Sequence, residues 1–231
     1  MADLLDTVKA IRHRKGMDDL PPDHRPHHHG NLREALIDAG LALLAEGGLA
    51  GLTLRRAAAA AGVSHAAPAH HFDGLPGLLT AIAARAFQRF ADQMEGSRQA
   101  APPDAMGRLK GICQGYLTFA DRHSALFHLM FNSPSLDRSD AQLVAESNRA
   151  YLILRDACLS FAIGPYPDEV LETAVWSLVH GYALLGFSNP SPGSRAATST
   201  PDFGRLLETL IRGHVGPDQQ GAEPLACRAP P

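Results

Sequence analysis

The sequence predicts an all-α fold, with a small three-helix head near its N-terminal end and a larger helical body behind it. After residue 104 every periodic segment repeats its apolar residues at helical spacing, and no segment alternates with period 2 for long enough to form a sheet. Glycines and Pro/Ser-rich runs separate the segments. With 231 residues, 45% of them apolar, the chain can bury a substantial core.

Charge and cysteine content exclude several classes of protein. The chain has 21 basic and 24 acidic side chains, so any anionic partner must be bound by a local group of basic residues and not by the net charge. The first 90 residues are slightly basic. The three cysteines share no C-x-x-C spacing, which predicts neither a disulfide framework nor a zinc site and fits a reducing cytoplasm. We expect no secretory signal and no membrane span, because the apolar stretch 174–187 is too short for a bilayer.

The head is predicted from helix start and stop signals. Residues 1–26 are expected to form a flexible arm with basic and His side chains. A helix is predicted from Asn31, which can cap it together with Glu34, and Gly47-Gly48 ends it. Thr53 caps a short Ala-rich helix that stops at Gly62, and Ser64 is predicted to cap another one that runs to about residue 71. Two short helices joined in this way are typical of a helix-turn-helix unit.

The body is predicted as a series of longer helices. A linking helix over 76–95 follows the head, and a boundary is expected between Gly96 and Pro103. The later helices are predicted at about 104–121, 123–131, 139–163, 167–187 and 202–215. The predicted domains are therefore a head over 27–75, a helical effector-binding and dimerisation domain over 76–215, and a loose tail over 216–231.

The second short helix of the head has the side chains that suit a DNA groove. Its alanines allow close approach and can contact thymine methyl groups, while histidine can bond to base edges or phosphates. Arginines of the preceding helix can reach the DNA backbone, and Thr53 can add a phosphate contact at that helix's N-terminus. The candidate DNA-binding residues are Thr53, Arg55, Arg56, Ser64, His65, Ala66, Ala67, Ala69, His70 and His71.

The run from Leu52 to Leu79, with Ala61-Gly62-Val63-Ser64 at its turn and His70-His71-Phe72 at its end, resembles the DNA-binding head of the TetR (tetracycline-repressor-like) family. Trp176, His180 and Gly181 resemble the signature of the family's WHG-type C-terminal domain. The resemblance implies a homodimer that presents two heads to a palindromic operator on double-stranded DNA. It also implies repression and control by a small-molecule effector.

The chain departs from the family pattern at three head positions. Ala69 stands where the family usually has Tyr, and Leu75 where it usually has Lys, and both usual residues hold phosphates. Arg56 replaces a frequent Glu, so Thr53 is expected to lose a capping partner. Basic residues of the arm can compensate for the lost phosphate contacts. The alternative hypothesis is a dimeric ligand-binding or interaction protein whose DNA binding is weakened or lost.

The body contains aromatic, Met and His residues on the inward faces of consecutive helices. For any one of them, ordinary core packing is the simpler interpretation, but as a group they can line an apolar effector pocket, with His123 and His180 as its polar groups. The candidate ligand-binding residues are Tyr116, Phe119, His123, Phe127, Met130, Phe131, Tyr151, Trp176 and His180. The effector itself is unknown from the sequence.

Other functions find little support in the sequence. Helices 167–187 and 202–215 have excess apolar surface, which predicts a four-helix dimer interface. The chain has no G-x-S-x-G, phosphate-binding Gly loop or H-E-x-x-H motif, so we expect no enzyme and no cofactor. The His27–His29 run and His70-His71 fit solvent- or DNA-facing roles better than a metal site. A cytoplasmic bacterial protein, on the nucleoid when bound to DNA, is expected.

Overall fold

The computed structural model describes residues 32–161, 167–186 and 201–215, which contain eight α-helices and no strand. The helices are α1 (Leu32–Gly47), α2 (Leu54–Ala60), α3 (Gly74–Ala100), α4 (Ala105–Arg122), α5 (Ser124–Asn132), α6 (Ala141–Cys158), α7 (Asp168–Leu184) and α8 (Phe203–Val215). Single 3-10 turns lie at Leu49–Gly51, Ala67–His70 and Leu159–Phe161. The predicted all-α fold is confirmed. Within the described ranges no helix is long and apolar enough to cross a membrane.

The first two helices of the head end as predicted. Gly48, just past α1, and Gly62, just past α2, have φ angles of +61° and +70°, a conformation that glycine adopts without strain. Buried residues of α1, including Leu36 and Leu44, form the core of the head together with Leu52. The predicted cap Asn31, the arm and the His27–His29 run lie outside the described residues.

The second short helix of the head differs from the prediction, since only a 3-10 turn forms there. A helix capped by Ser64 would need the residue-68 amide to donate to the Ser64 carbonyl, but residue 68 is proline and has no N–H. The Ala67 amide donates to the Ser64 carbonyl instead, at 3.0 Å, and the His71 and Phe72 amides both donate to the Pro68 carbonyl. The segment is therefore a compact turn anchored by buried Pro68 and Phe72.

Helix α3 is the central element, and it is longer than predicted. It packs along α4 and α6 and also contacts α5. The linking helix predicted over 76–95 extends at both ends, from Gly74 to Ala100, and Arg98 pairs with Glu95 within its last two turns. The break before the next helix begins at Ala101, inside the range of 96–103 where a boundary is expected. One glycine costs a helix only about 1 kcal/mol, whereas Pro102 and Pro103 stop it.

The remaining helices lie close to their predicted positions. Asp104 caps α4 by accepting from the Gly107 amide at 2.8 Å, and Asp140 caps α6 by accepting from the Leu143 amide at 2.8 Å. The helix predicted to end at residue 163 ends instead at Cys158 and continues only as a 3-10 turn. Helix α8 packs on α7.

Candidate functional site

Nine of the ten candidate DNA-binding residues are exposed, and Ala67 is half-buried. They lie at the N-cap of α2, on α2 and on the turn that follows it. Their exposure is compatible with the predicted contacts to DNA, which stay a prediction, while the helix expected to carry His65 to His71 is replaced by the 3-10 turn. Ser64 caps no helix in this part of the chain, contrary to the prediction.

Thr53 and Arg56 form the start of α2. Thr53 accepts a hydrogen bond from the Arg56 amide at 3.1 Å, so it caps the helix although no Glu stands at position 56. The Arg56 guanidinium donates to the Gly51 carbonyl in the preceding turn. The Arg56 side chain thus ties the start of α2 to the turn that precedes it. The predicted contact of Arg56 with DNA would have to replace this hydrogen bond.

The head is tied to α3 by charge and by close packing. Arg85 of α3 forms ion pairs with Glu34 and Asp38 of α1. A Cβ atom at Gly40 of α1 would lie 2.4 Å from Ile82 Cδ1, so a larger residue there would displace the Ile82 side chain. These contacts join α1 to the first half of α3.

A cavity of about 220 Å³ lies between α3, α4, α6 and α7. Its wall is mostly aromatic and apolar, as expected for a small-molecule site. The lining residues are Phe87, Phe90, Met94, Tyr116, Phe131, Arg138, Ser147, Ala150, Tyr151, Leu154 and Trp176.

Four of the nine candidate ligand-binding residues line this cavity: Tyr116, Phe131, Tyr151 and Trp176. The other five do not. Phe119, Phe127 and Met130 are buried in the surrounding core, and His123 is exposed at the junction of α4 and α5. His180 lies behind the wall, where it contacts the Tyr116 hydroxyl.

Sequence reasoning missed the contribution of α3 to the cavity. Phe87, Phe90 and Met94 come from this helix, and Phe90 is the centre of an edge-on aromatic cluster. Its ring centroid lies 4.7 Å from that of Tyr116 and 5.2 Å from that of Phe119. One sequence signal points to this contribution, since Phe90 lies on the apolar face of the linking helix.

The polar groups at the inner end of the cavity are neutral near pH 7. Tyr116 Oη and His180 Nδ1 share a hydrogen bond of 2.6 Å. Burial raises the pKa of Tyr116 well above its usual value and lowers the pKa of His180, so the phenol stays protonated and the imidazole uncharged. The pair can orient a ligand through hydrogen bonding and supplies no charge.

A larger groove of about 570 Å³ lies between α6 and the α3–α4 junction. It is lined by charged side chains of both signs, including Glu95, Arg98, Arg108, Arg149 and Asp156. None of the candidate residues predicted from the sequence lines it. The aromatic cavity is therefore the better candidate for a small apolar ligand.

Two family models match the chain, and together they cover more than half of it. The model described as "Bacterial regulatory proteins, tetR family" matches residues 36–82. The model described as "Tetracyclin repressor-like, C-terminal domain" matches residues 109–219. The first match contains most of the head, and the second contains Tyr116, Trp176 and His180. No curated protein matches the chain.

Several solved structures share the fold. A protein of unknown function from Rhodococcus sp. RHA1 is 28% identical, with a TM-score of 0.67, and the alignment covers 83% of this chain and 100% of that one. A TetR family transcription regulator from Marinobacter aquaeolei VT8 is 17% identical, with a TM-score of 0.55 and coverage of 79% and 94%. The multidrug binding protein EbrR, solved with imidazole, is 20% identical, with a TM-score of 0.55 and coverage of 78% and 94%.

The order of the helices in the structure agrees with the order of the two matched domains. A head made of α1, α2 and an exposed turn precedes a larger helical domain, and each part matches the corresponding model of one family of regulators. The chain belongs to the TetR family and is a DNA-binding transcriptional regulator.

Proposed function

We propose that the protein is a ligand-responsive repressor, which leaves a palindromic operator when a small apolar effector occupies the aromatic cavity. One observation carries the proposal: α3 contacts both the head and the cavity. Ile82 and Arg85 of α3 pack on or pair with α1, and Phe87, Phe90 and Met94 of the same helix line the cavity. A ligand that changes the position of α3 also changes the position of the head.

A second contact connects the cavity to the start of α3. The segment between α5 and α6 contributes Arg138 to the cavity wall. The amide of the neighbouring Asp137 donates to the buried Thr80 hydroxyl at 3.0 Å, and that hydroxyl donates to the Pro76 carbonyl at 2.9 Å. The segment is thus bonded to the first two turns of α3, directly after the head.

The proposal includes a homodimer through α7 and α8. Val170 and Leu184 of α7, and Leu185 just after it, are 47%, 44% and 67% exposed in the single chain. A Cβ atom at Gly181 would meet no atom within 4 Å, so this side of α7 has room for a partner helix. Pairing of these helices would bury the apolar surface and place two heads on one side of the dimer.

Regulation then follows from differential affinity. Two heads bind successive major grooves only when they are about one helical turn of DNA apart or slightly more. An effector that binds better to a conformation with a different head spacing lowers the affinity of the protein for DNA. DNA lowers the affinity for the effector by the same factor. Such a regulator acts in the bacterial cytoplasm, on the nucleoid when bound to DNA.

The first test is selection of bound duplexes from a random DNA pool by the purified protein at two salt concentrations. A palindrome with half-sites separated by about one helical turn is expected. Affinity for the selected sequence should fall as salt rises, because phosphate contacts release counterions. If no sequence is enriched at either salt, the alternative of a ligand-binding protein with a degenerate head gains support, in agreement with Ala69 and Leu75.

The second test uses the selected duplex to screen small apolar compounds. The expected result is a compound that weakens DNA binding in a saturable manner. A compound that fills the cavity and leaves DNA affinity unchanged at saturation would contradict the proposed coupling through α3. If the compound instead tightened DNA binding, the coupling through α3 would be supported. The protein would then be a regulator that binds its operator together with the effector, and not a repressor that the effector releases.

A further inference from the structure

The cavity has one charged residue in its wall. Among the lining residues only Arg138, from the segment between α5 and α6, carries a formal charge. The phenol of buried Tyr116 and the imidazole of half-buried His180 behind it are neutral near pH 7, because desolvation disfavours the charged form of each. A ligand in this cavity therefore meets an apolar aromatic wall with a single positive group.

The charge of Arg138 is not matched by a carboxylate in the described part of the chain. Its Nη1 donates to the Met130 carbonyl at 3.1 Å, which holds the side chain at the C-terminal end of α5. A guanidinium has five N–H donors, so most of them stay available. No acidic side chain lies within ion-pair distance of Arg138 among the described residues.

The two nearest carboxylates along the chain are engaged elsewhere. Asp137 accepts from the Ser139 amide at 2.9 Å and from the Ser139 hydroxyl at 2.6 Å, and these bonds lower its pKa. Asp140 accepts from the Leu143 amide as the cap of α6. Both acids thus turn towards local backbone, and the guanidinium between them in sequence remains free to bind an anion.

We infer that the cavity binds a small aromatic monocarboxylate, whose ring lies among the aromatic side chains and whose carboxylate pairs with Arg138. A carboxylate enters an apolar site only when it is paired, and a guanidinium offers the fork geometry that a carboxylate prefers. The volume of about 220 Å³ compares with the ~150 Å³ of an apolar cavity that holds benzene, so by proportion it suits a ligand of roughly nine non-hydrogen atoms. This inference rests on the proposed role of the cavity as the effector site.

The protein contains an intrinsic fluorophore that can report binding in the cavity. Trp176 is the one tryptophan in the sequence, and it lines the cavity, 5.3 Å from Tyr151 between ring centroids. We would titrate the full chain, without DNA, with benzoate and phenylacetate and with the matching neutral amides benzamide and phenylacetamide. Trp176 fluorescence would report occupancy, and calorimetry would give the affinities.

The wild type should bind the carboxylates at least about tenfold more tightly than the amides, because a charge-assisted bond replaces a neutral one. Arg138→Gln should remove this preference, and Arg138→Lys should retain part of it. The matched control is Arg149→Gln on α6, where the arginine pairs at the surface with Asp92 and does not line the cavity. This control should keep the full preference.

Three results would overturn the inference: equal affinity for acids and amides, a preference that survives Arg138→Gln in a variant with a wild-type melting curve, or no response to any of the acids. The first two leave the cavity as a ligand site, so the proposed function would stand with a different ligand class. Failure of the proposed function has a separate readout, since it would appear as acids that bind the cavity and leave operator affinity unchanged.

Discussion

Arg55 and Arg56 are adjacent and both exposed on α2, but their guanidinium groups have different surroundings. Arg56 donates to the Gly51 carbonyl, whereas Arg55 makes no hydrogen bond or ion pair within the described ranges. A side chain that is not already bonded to its own protein reaches a phosphate at lower cost. Of the two, we therefore expect Arg55 to provide more of the affinity for DNA.

Arg55→Ala should weaken binding to the selected operator by about 1 kcal/mol and reduce the slope of log affinity against log salt by about 1. Arg56→Ala is the matched control and should change the salt slope less, although it removes the bond to the Gly51 carbonyl. Fluorescence anisotropy at several salt concentrations measures both quantities. Equal slopes for the wild type and the Arg55 variant would show that Arg55 contacts no phosphate.

His180 makes stability depend on pH in the mildly acidic range. Its pKa is lowered by burial, so the unfolded chain takes up a proton as the pH falls through about 6.5 while the folded chain does not until lower pH. Stability is then fully present above pH ~6.5 and is lost towards the folded pKa. The pKa of His123 is lowered by partial desolvation and by Arg89 and Arg122, so it acts with the same sign, but its exposure to solvent makes the contribution smaller.

The melting temperature should therefore fall between about pH 7.5 and 5.5, and it should fall less in His180→Gln than in the wild type. His123→Gln separates the second contribution, and the double variant should show the flattest profile. The acidic groups with lowered pKa values, such as Glu95 and Glu208, titrate below this window. An unchanged profile in the double variant would show that these histidines do not control the acid response.

At the scale of elements, the contact between α3 and α4 depends on a row of glycines. A Cβ atom at Gly115 would lie 2.7 Å from both Gln93 O and Met94 Cα, and one at Gly111 would lie 2.7 Å from Ser97 O. These neighbours are backbone atoms of α3, which cannot rotate away. The two helices therefore approach more closely than any larger residue permits.

Gly115→Ala should separate α3 from α4 and destabilise the fold by about 2 kcal/mol, with a lower melting temperature and weaker ligand binding in the adjacent cavity. Gly96→Ala on α3 is the matched control, because its Cβ would meet no atom within 4 Å. That change should be neutral or stabilise the helix by up to about 1 kcal/mol. Chemical denaturation measures both, and a stable Gly115 variant would disprove the close-packing argument.

Local signals made most helix boundaries predictable from the sequence. Caps such as Asp104 and Asp140 and stops such as Gly48 act on the residues next to them, so these ends lie within a few residues of the prediction. The turn at Ala67–His70 was predicted wrongly because alanine-rich composition favours a helix, while one missing N–H at Pro68 prevents it.

The cavity was predictable only in part, for a different reason. Periodicity shows which face of a helix is apolar, and it placed Tyr116 and Trp176 on inward faces. It does not show which helices meet, so the contribution of Phe87 and Met94 from α3 was missed, and the buried Phe127 was assigned to the pocket. Arg138 lies in a loop without periodicity, where no sequence pattern indicates its position.

At the scale of the whole molecule, the proposed dimer surface can be tested by introducing charge. Leu185 is 67% exposed just after α7, and Leu152 is 37% exposed on α6. Leu185→Glu should weaken self-association at least about tenfold, because it would bury an unpaired carboxylate between the protomers. Sedimentation equilibrium measures the dissociation constant.

Leu152→Glu is the control and should remain as dimeric as the wild type, since α6 is not part of the proposed interface. The Leu185 variant should also lose affinity for a palindrome while keeping weak binding to a half-site. A wild type that is monomeric at micromolar concentration, or a Leu185 variant that associates normally, would place the dimer interface elsewhere or remove it.

Because α3 is long, a small tilt at one of its ends produces a large displacement of the other end. Between Met94 in the cavity wall and Gly74 at the edge of the head, the helix rises about 30 Å at 1.5 Å per residue. A tilt of about 5° at the cavity end therefore displaces the other end by ~2.6 Å. In a dimer two such displacements add to about 5 Å, more than the 3.4 Å between successive base pairs. In the proposed dimer, a ligand that tilts α3 by only this amount would therefore put the two heads out of register with DNA.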